Sequence, residues 1–210
     1  VKTLGIDLAA DPKRTAAAII EWRDGQARLV HLSLGVTDET VVELFRDSDV
    51  TGIDCPLGWP APFLSFLLGH SREEPGAVLC HDGLAGRREL AYRTSDRFVT
   101  GRTGLIPLSV SADRLAHPAM RCAVIQAKIA RACGVQPRDG TGHLVEVYPA
   151  ASLKIWGISA RRYKGRGTPE SEVRNNILGQ LTAAAPWLDL DTYRDQRPPR
   201  TIYSIPSSHH

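Results

Sequence analysis

Two carboxylates stand where short apolar strands end. Asp7 closes Gly5-Ile6-Asp7 and Asp54 closes Gly52-Ile53-Asp54, the same tripeptide twice, each time followed by a loop. A third acid, Glu146, lies in the apolar stretch 144–148, just before Pro149. A carboxylate in an apolar run is costly unless it is paired, hydrogen-bonded or on a metal. If the three strands lie side by side, Asp7, Asp54 and Glu146 meet at one sheet edge, and a divalent cation relieves their repulsion. An all-oxygen ligand set favours magnesium, manganese or calcium over zinc. Mg2+ or Mn2+ held this way activates a water and stabilises the leaving oxygen of a phosphodiester. These three residues are therefore the expected metal ligands and catalytic groups. The competing reading is that each acid caps a loop or pairs with an arginine. Glu43 is a further candidate ligand, although glutamate on a helix is more often solvated.

A second group has the chemistry to hold substrate. Tyr92-Arg93-Thr94-Ser95-Asp96-Arg97 packs charge and hydroxyls into a short stretch, and Lys154 and Lys164 are the lysines of the last third. Arg93, Asp96, Arg97, Lys154 and Lys164 are the expected substrate-binding residues, with phosphate contact as their role. Surface ion pairing and simple solvation are the alternatives. Trp59 and Trp156 flank the acidic loops and suit either base stacking or packing.

The elements that must position these groups follow from periodicity and turn signals. Residues 2–10 and 14–22 read as strands, and Asp24-Gly25 signals a tight hairpin into a third strand, 26–34. That strand alternates through Ala27 and Leu29, then Val30, Leu32 and Leu34 after a register break. Thr37 or Asp38 caps a helix to about residue 47, with Val41, Leu44 and Phe45 on one face. A helix before strand 50–54 argues a crossover, so this strand runs parallel to the first. An amphipathic segment follows at 61–68. Residues 69–92 read as a polar, glycine-rich surface excursion with some helix near 84–92. A helix over 119–133 carries Cys122, Ile125, Ile129 and Cys133 on its apolar face and stops at Gly134. Strand 144–148 bears Glu146. Thr168-Pro169-Glu170 opens a last helix, ended by Pro186. The expected architecture is a single α/β domain, residues 1–206, with a mixed five-stranded sheet flanked by helices. His209 and His210 read as the end of a tag remnant, 207–210.

Composition sets limits. The 210 residues carry 26 basic and 23 acidic side chains, a net charge of +3. That mild basic bias permits a nucleic-acid partner without demanding one. Most of the base is arginine, whose fork suits phosphate. The four cysteines form no Cys-x-x-Cys pair, which disfavours a zinc site. No signal-like or membrane-length apolar run occurs, so a reduced, cytoplasmic setting with no membrane partner is expected.

With these motifs in order, the chain resembles the predicted ribonuclease H-like nucleases, family 429 of the domains of unknown function. The resemblance rests on the two Gly-Ile-Asp strands, Asp54-Cys55-Pro56-Leu57-Gly58, Arg93-Thr94-Ser95-Asp96-Arg97, Glu146-Val147-Tyr148-Pro149 and Tyr163-Lys164-Gly165. It implies a ribonuclease H-like sheet, three antiparallel strands and then parallel ones, with a carboxylate metal site and a nucleic-acid substrate. Proteins of this fold usually add a last carboxylate from a C-terminal Asp-Ala helix. No such segment occurs here; the tail offers Asp189, Asp191 and Asp195. The expected function is metal-dependent phosphodiester hydrolysis. A non-catalytic nucleic-acid-binding or scaffold protein with a degenerate site is the first alternative. An actin-like ATPase or phosphotransferase is the second, but Leu8-Ala9-Ala10-Asp11-Pro12 lacks the glycine-rich phosphate turn that it needs.

Overall fold

A computed structural model describes residues 1–159 and 168–190. Strand β1 (Lys2–Asp7) alternates as a pleated strand must: Leu4 and Ile6 are buried, while Thr3, Gly5 and Asp7 point to the other face. A short 3-10 turn, Pro12–Arg14, leads into β2 (Ala16–Arg23). Asp24 and Gly25 both take positive φ, +50° and +75°, the geometry of a two-residue hairpin loop, and β3 (Gln26–Leu34) returns antiparallel. The register break expected in β3 is real. The pairing skips Val30 opposite the Ile19/Ile20 step, so Leu32 and Leu34 pair with Ala18 and Ala16 on the same face as Asp7.

Thr37 caps α1 (Asp38–Arg46), its hydroxyl accepting from Thr40 N, and Val41, Val42 and Phe45 are buried. The crossover delivers β4 (Val50–Ile53) parallel to β1, with Gly5 opposite Gly52 and Ile6 opposite Ile53. The repeated tripeptide is thus paired with itself in register. Next come α2 (Ala61–Ser71), α3 (Pro75–Leu79), α4 (Gly83–Ala91), α5 (Thr94–Thr103) and α6 (Ala116–Cys133). Strand β5 (Leu144–Glu146) pairs parallel to β4, followed by α7 (Pro149–Ile155), α8 (Thr168–Ala184) and β6 (Leu188–Asp189). The sheet order among the described residues is β5-β4-β1-β2-β3-β6. This is the expected order, three antiparallel strands and then parallel ones, with one strand added: β6 lies parallel to β3 at the far edge.

One face of the sheet is the core face. Leu4, Ile6, Ile53 and Leu144 lie in one buried cluster with Val41 and Phe45 of α1 and with Ala119, Cys122, Ile125 and Ile129 of α6. Arg121 of α6 straps the layers together. Its guanidinium donates to Ala9 O (2.7 Å), Thr15 Oγ1 (2.6 Å), Val36 O (3.2 Å) and Asp38 Oδ1 (2.8 Å). The opposite face carries small residues, Gly5, Ala16, Ala18 and Gly52. With Leu32 they line a shallow trough of about 420 Å³ that reaches Asp7 and Asp54.

Four expectations are corrected. The sheet has six strands rather than five, because the two-residue β6 is too short to show a period. In the excursion at 69–92 the helix expected near 84–92 is present as α4, but the stretch before it also holds a helix, α3, and both pack on α2. Cys133 is exposed, so it does not share the apolar face of α6. Asp7 is exposed rather than buried, since it points away from the core face.

Candidate functional site

The site grows from the last rung of the β1–β4 ladder. Asp54 N donates to Ile6 O at 2.8 Å, which sets Asp54 beside Asp7 at the carboxyl edge of two parallel strands. Because Gly5 pairs with Gly52, the two aspartates follow on the same face. Neighbouring strands lie about 4.8 Å apart. Two like charges at such spacing repel by roughly 1 to 3 kcal/mol at effective dielectrics between those of water and a protein surface. Asp7 is exposed and Asp54 half-buried. Both line a cavity of about 360 Å³ whose other walls include Arg93, Ser95, Asp96 and Glu146. Two carboxylates on a water-accessible edge fit a hard divalent cation, which takes one or two carboxylates and keeps several waters.

Glu146 is placed differently. It stands opposite Ile53, one position short of Asp54, and so belongs to the other pleat. Val147, whose N donates to Ile53 O at 2.9 Å, lies on the Gly52–Asp54 face. A Cβ on Gly52 would meet Val147 Cγ1 at 3.0 Å, so glycine makes room for this neighbour. The Glu146 carboxylate has other partners. Arg93 donates to it twice, Nη1 to Oε2 and Nη2 to Oε1, each at 2.7 Å, and Leu57 N donates to Oε2 at 3.0 Å. Among the described residues, no three His, Cys, Asp or Glu side chains gather into a group suited to a metal ion. The three-carboxylate cluster expected from the sequence is therefore a pair of aspartates beside a glutamate committed to an arginine.

Arg93 also serves Asp96. Asp96 sits in the first turn of α5 and accepts from Arg93 N (2.8 Å), Nε (3.0 Å) and Nη2 (2.8 Å). Burial works against the charge on Arg93, but hydrogen bonds to Glu146 and Asp96 outweigh it and raise the guanidinium above its ordinary proton affinity. The charge-rich hexapeptide is thus a helix start and a bridge from buried Asp96 of α5 to exposed Glu146 of β5. Its effect on the site is to fix the loop after β4: Glu146 holds Leu57 N while Gln126 of α6 donates to Leu57 O at 3.2 Å. Cys55, in the same loop, is buried; contact with Cys122 and burial push its thiol up, so it stays protonated.

The remaining expected residues scatter. Arg97 is exposed, donates Nη2 to Tyr92 O at 3.1 Å, and lines a larger neighbouring cavity of about 680 Å³. Lys154, exposed on α7, reaches toward Gly104 at the end of α5, away from the aspartates' cavity. Lys164 lies outside the described residues, as do Asp191 and Asp195. Asp189 is on β6, separated from β1 by two strands, so it is not a fourth ligand. Glu43 is exposed on α1, the helix that covers the core face, and does not join the aspartates.

Two arginines were missed in the sequence. Arg121 reads as a helix-face cation, and nothing local shows its four acceptors. Arg138 lies in Gln136-Pro137-Arg138-Asp139-Gly140 and lines the larger cavity, its Nη1 lying 3.5 Å from where a Gly58 Cβ would be. A cation in a proline- and glycine-bounded loop just before an acid-bearing strand was the available signal.

No curated protein matches the chain. Among solved structures it is similar to "T. thermophilus RuvC in complex with Holliday junction substrate", at 17% identity over 65% of this chain and 99% of that one, with a TM-score of 0.22. So low a score carries no conclusion about fold or activity. Residues 5–201 match the family described as "Protein of unknown function (DUF429)", and the chain belongs to that family.

Proposed function

We propose that the protein is a metal-dependent nuclease that hydrolyses phosphodiester bonds of nucleic acid at the Asp7–Asp54 edge. The observation that carries this reading is the in-register pairing of two Gly-Ile-Asp strands, which brings two carboxylates together on one face beside a cavity. Asp7 and Asp54 would hold Mg2+ or Mn2+, and such a cation, when bound, lowers the pKa of its water and offsets phosphate charge. The chain's own contribution is to set the two aspartates on adjacent strands, where the Asp54 N to Ile6 O hydrogen bond fixes the spacing of their backbones. Glu146 and Arg93 act as positioning residues that hold the loop following Asp54. Arg97 is exposed and spends one nitrogen on Tyr92 O, which leaves guanidinium donors for a phosphate.

A second reading has a specific observation behind it. Glu146 is neutralised by Arg93, and no third carboxylate joins the pair among the described residues. A nucleic-acid-binding protein with a degenerate site would have this arrangement. End-labelled single- and double-stranded DNA and RNA, incubated with Mg2+ or Mn2+, separate the two. The nuclease reading requires cleavage that chelator abolishes and that Asp54→Asn reduces by about a thousandfold or more, as expected when a metal's stabilisation of developing charge is lost. Binding without cleavage of any of these substrates favours the second reading.

A further inference from the structure

The larger cavity adjoins the aspartates' cavity: both are lined by Arg93, Ser95, Val99, Glu146, Val147 and Tyr148. At about 680 Å³ it lies within the range of small-molecule sites. Its lining differs in character from that of the smaller one. Trp59, Tyr92 and Tyr148 supply three aromatic rings, all half-buried. Trp59 also packs against the core cluster, which restrains it, while the residue still borders the cavity. Two exposed guanidinium groups, Arg97 and Arg138, stand at the same cavity.

We infer that this cavity binds one unpaired nucleotide of a nucleic-acid strand, its base stacked on an aromatic ring and its phosphate held by Arg97 and Arg138. The inference rests on the nuclease reading, because the adjoining Asp7–Asp54 edge would act on the phosphodiester next to that nucleotide. Held aromatic faces give base stacking at small entropic cost, and arginine forks give the phosphate contact. A base in a Watson–Crick duplex is already stacked and paired, so it must leave the helix to enter, which costs a few kcal/mol. The chemistry therefore selects single-stranded nucleic acid, ribo or deoxy, over duplex.

The test is equilibrium binding in chelator, where cleavage is suppressed, to short single-stranded DNA and RNA carrying one 2-aminopurine, and to the matching duplexes. Single strands should bind about tenfold or more tighter than duplex, with fluorescence quenched at one position of the probe. Trp59→Leu should weaken single-strand binding by about tenfold and remove that quench. Arg138→Gln, at an exposed position, should weaken binding and lower the slope of log K against log salt by about one. Equal affinity for duplex and single strand, or an undiminished slope in Arg138→Gln, overturns the inference even if Trp59→Leu fails to fold. Cleavage with no single-strand preference would sink the pocket and leave the nuclease reading standing; tight, Trp59-dependent single-strand binding without cleavage would do the reverse.

Discussion

Arg93 shows how one side chain decides the roles of its neighbours. Its guanidinium joins Asp96, almost wholly buried, to Glu146, and each acid takes two of its nitrogens. Glu146 is exposed but Asp96 is not, so removing the guanidinium leaves a buried charge without its partner, which costs more than the pair itself contributes. Arg93→Met should therefore destabilise the fold by about 3 kcal/mol or more, read by chemical denaturation. A loss under about 1 kcal/mol would mean that the bridge is a solvated surface pair, of the kind that contributes little. Glu146 is the residue for which sequence reasoning was least able to choose. An acid at the end of an apolar strand looks the same whether it faces a cation or a guanidinium, and its partner lies 53 positions away in sequence.

At the scale of elements, local signals that coincide with tertiary pairing were readable. The Asp24-Gly25 turn is legible because two adjacent residues must take positive φ, and the repeated Gly-Ile-Asp is legible because its two copies pair in register. Helix α5 was not, since Thr94–Thr103 contains threonines, a valine and a glycine, all poor helix formers. Its start is secured by Asp96 on the Arg93 amide, a tie that propensity does not reveal. The strap by Arg121 was equally hidden, although it holds the β1–β2 connection, the loop before α1 and α1 itself. Arg121→Met removes four hydrogen bonds at once. It should cost about 2 to 4 kcal/mol in denaturation and speed amide exchange at Gly35, whose N donates to Thr15 O. A variant with wild-type stability and exchange would show that the strap is incidental.

For the whole molecule, the strand order explains why the candidate site lies where it does. The three-strand antiparallel meander leaves β1 at its edge, and the α1 crossover then sets β4 against it with both carboxyl ends at the same edge. The core face is committed to α1 and α6, so acids on those strands must emerge on the other face or at the edge. The fold class was legible because strand order follows from hairpin and crossover rules. The outcome at the site was less so, because a one-residue register difference separates Glu146 from Asp54. The most direct measurement is Mn2+ binding, followed by electron paramagnetic resonance, to the wild type and to Asp7→Asn, Asp54→Asn and Glu146→Gln. The account predicts one bound ion, with affinity falling about tenfold or more in each aspartate variant, equivalent to at least about 1.4 kcal/mol, and nearly unchanged in Glu146→Gln. Wild-type affinity in Asp7→Asn or Asp54→Asn would contradict a cation held between the two strands.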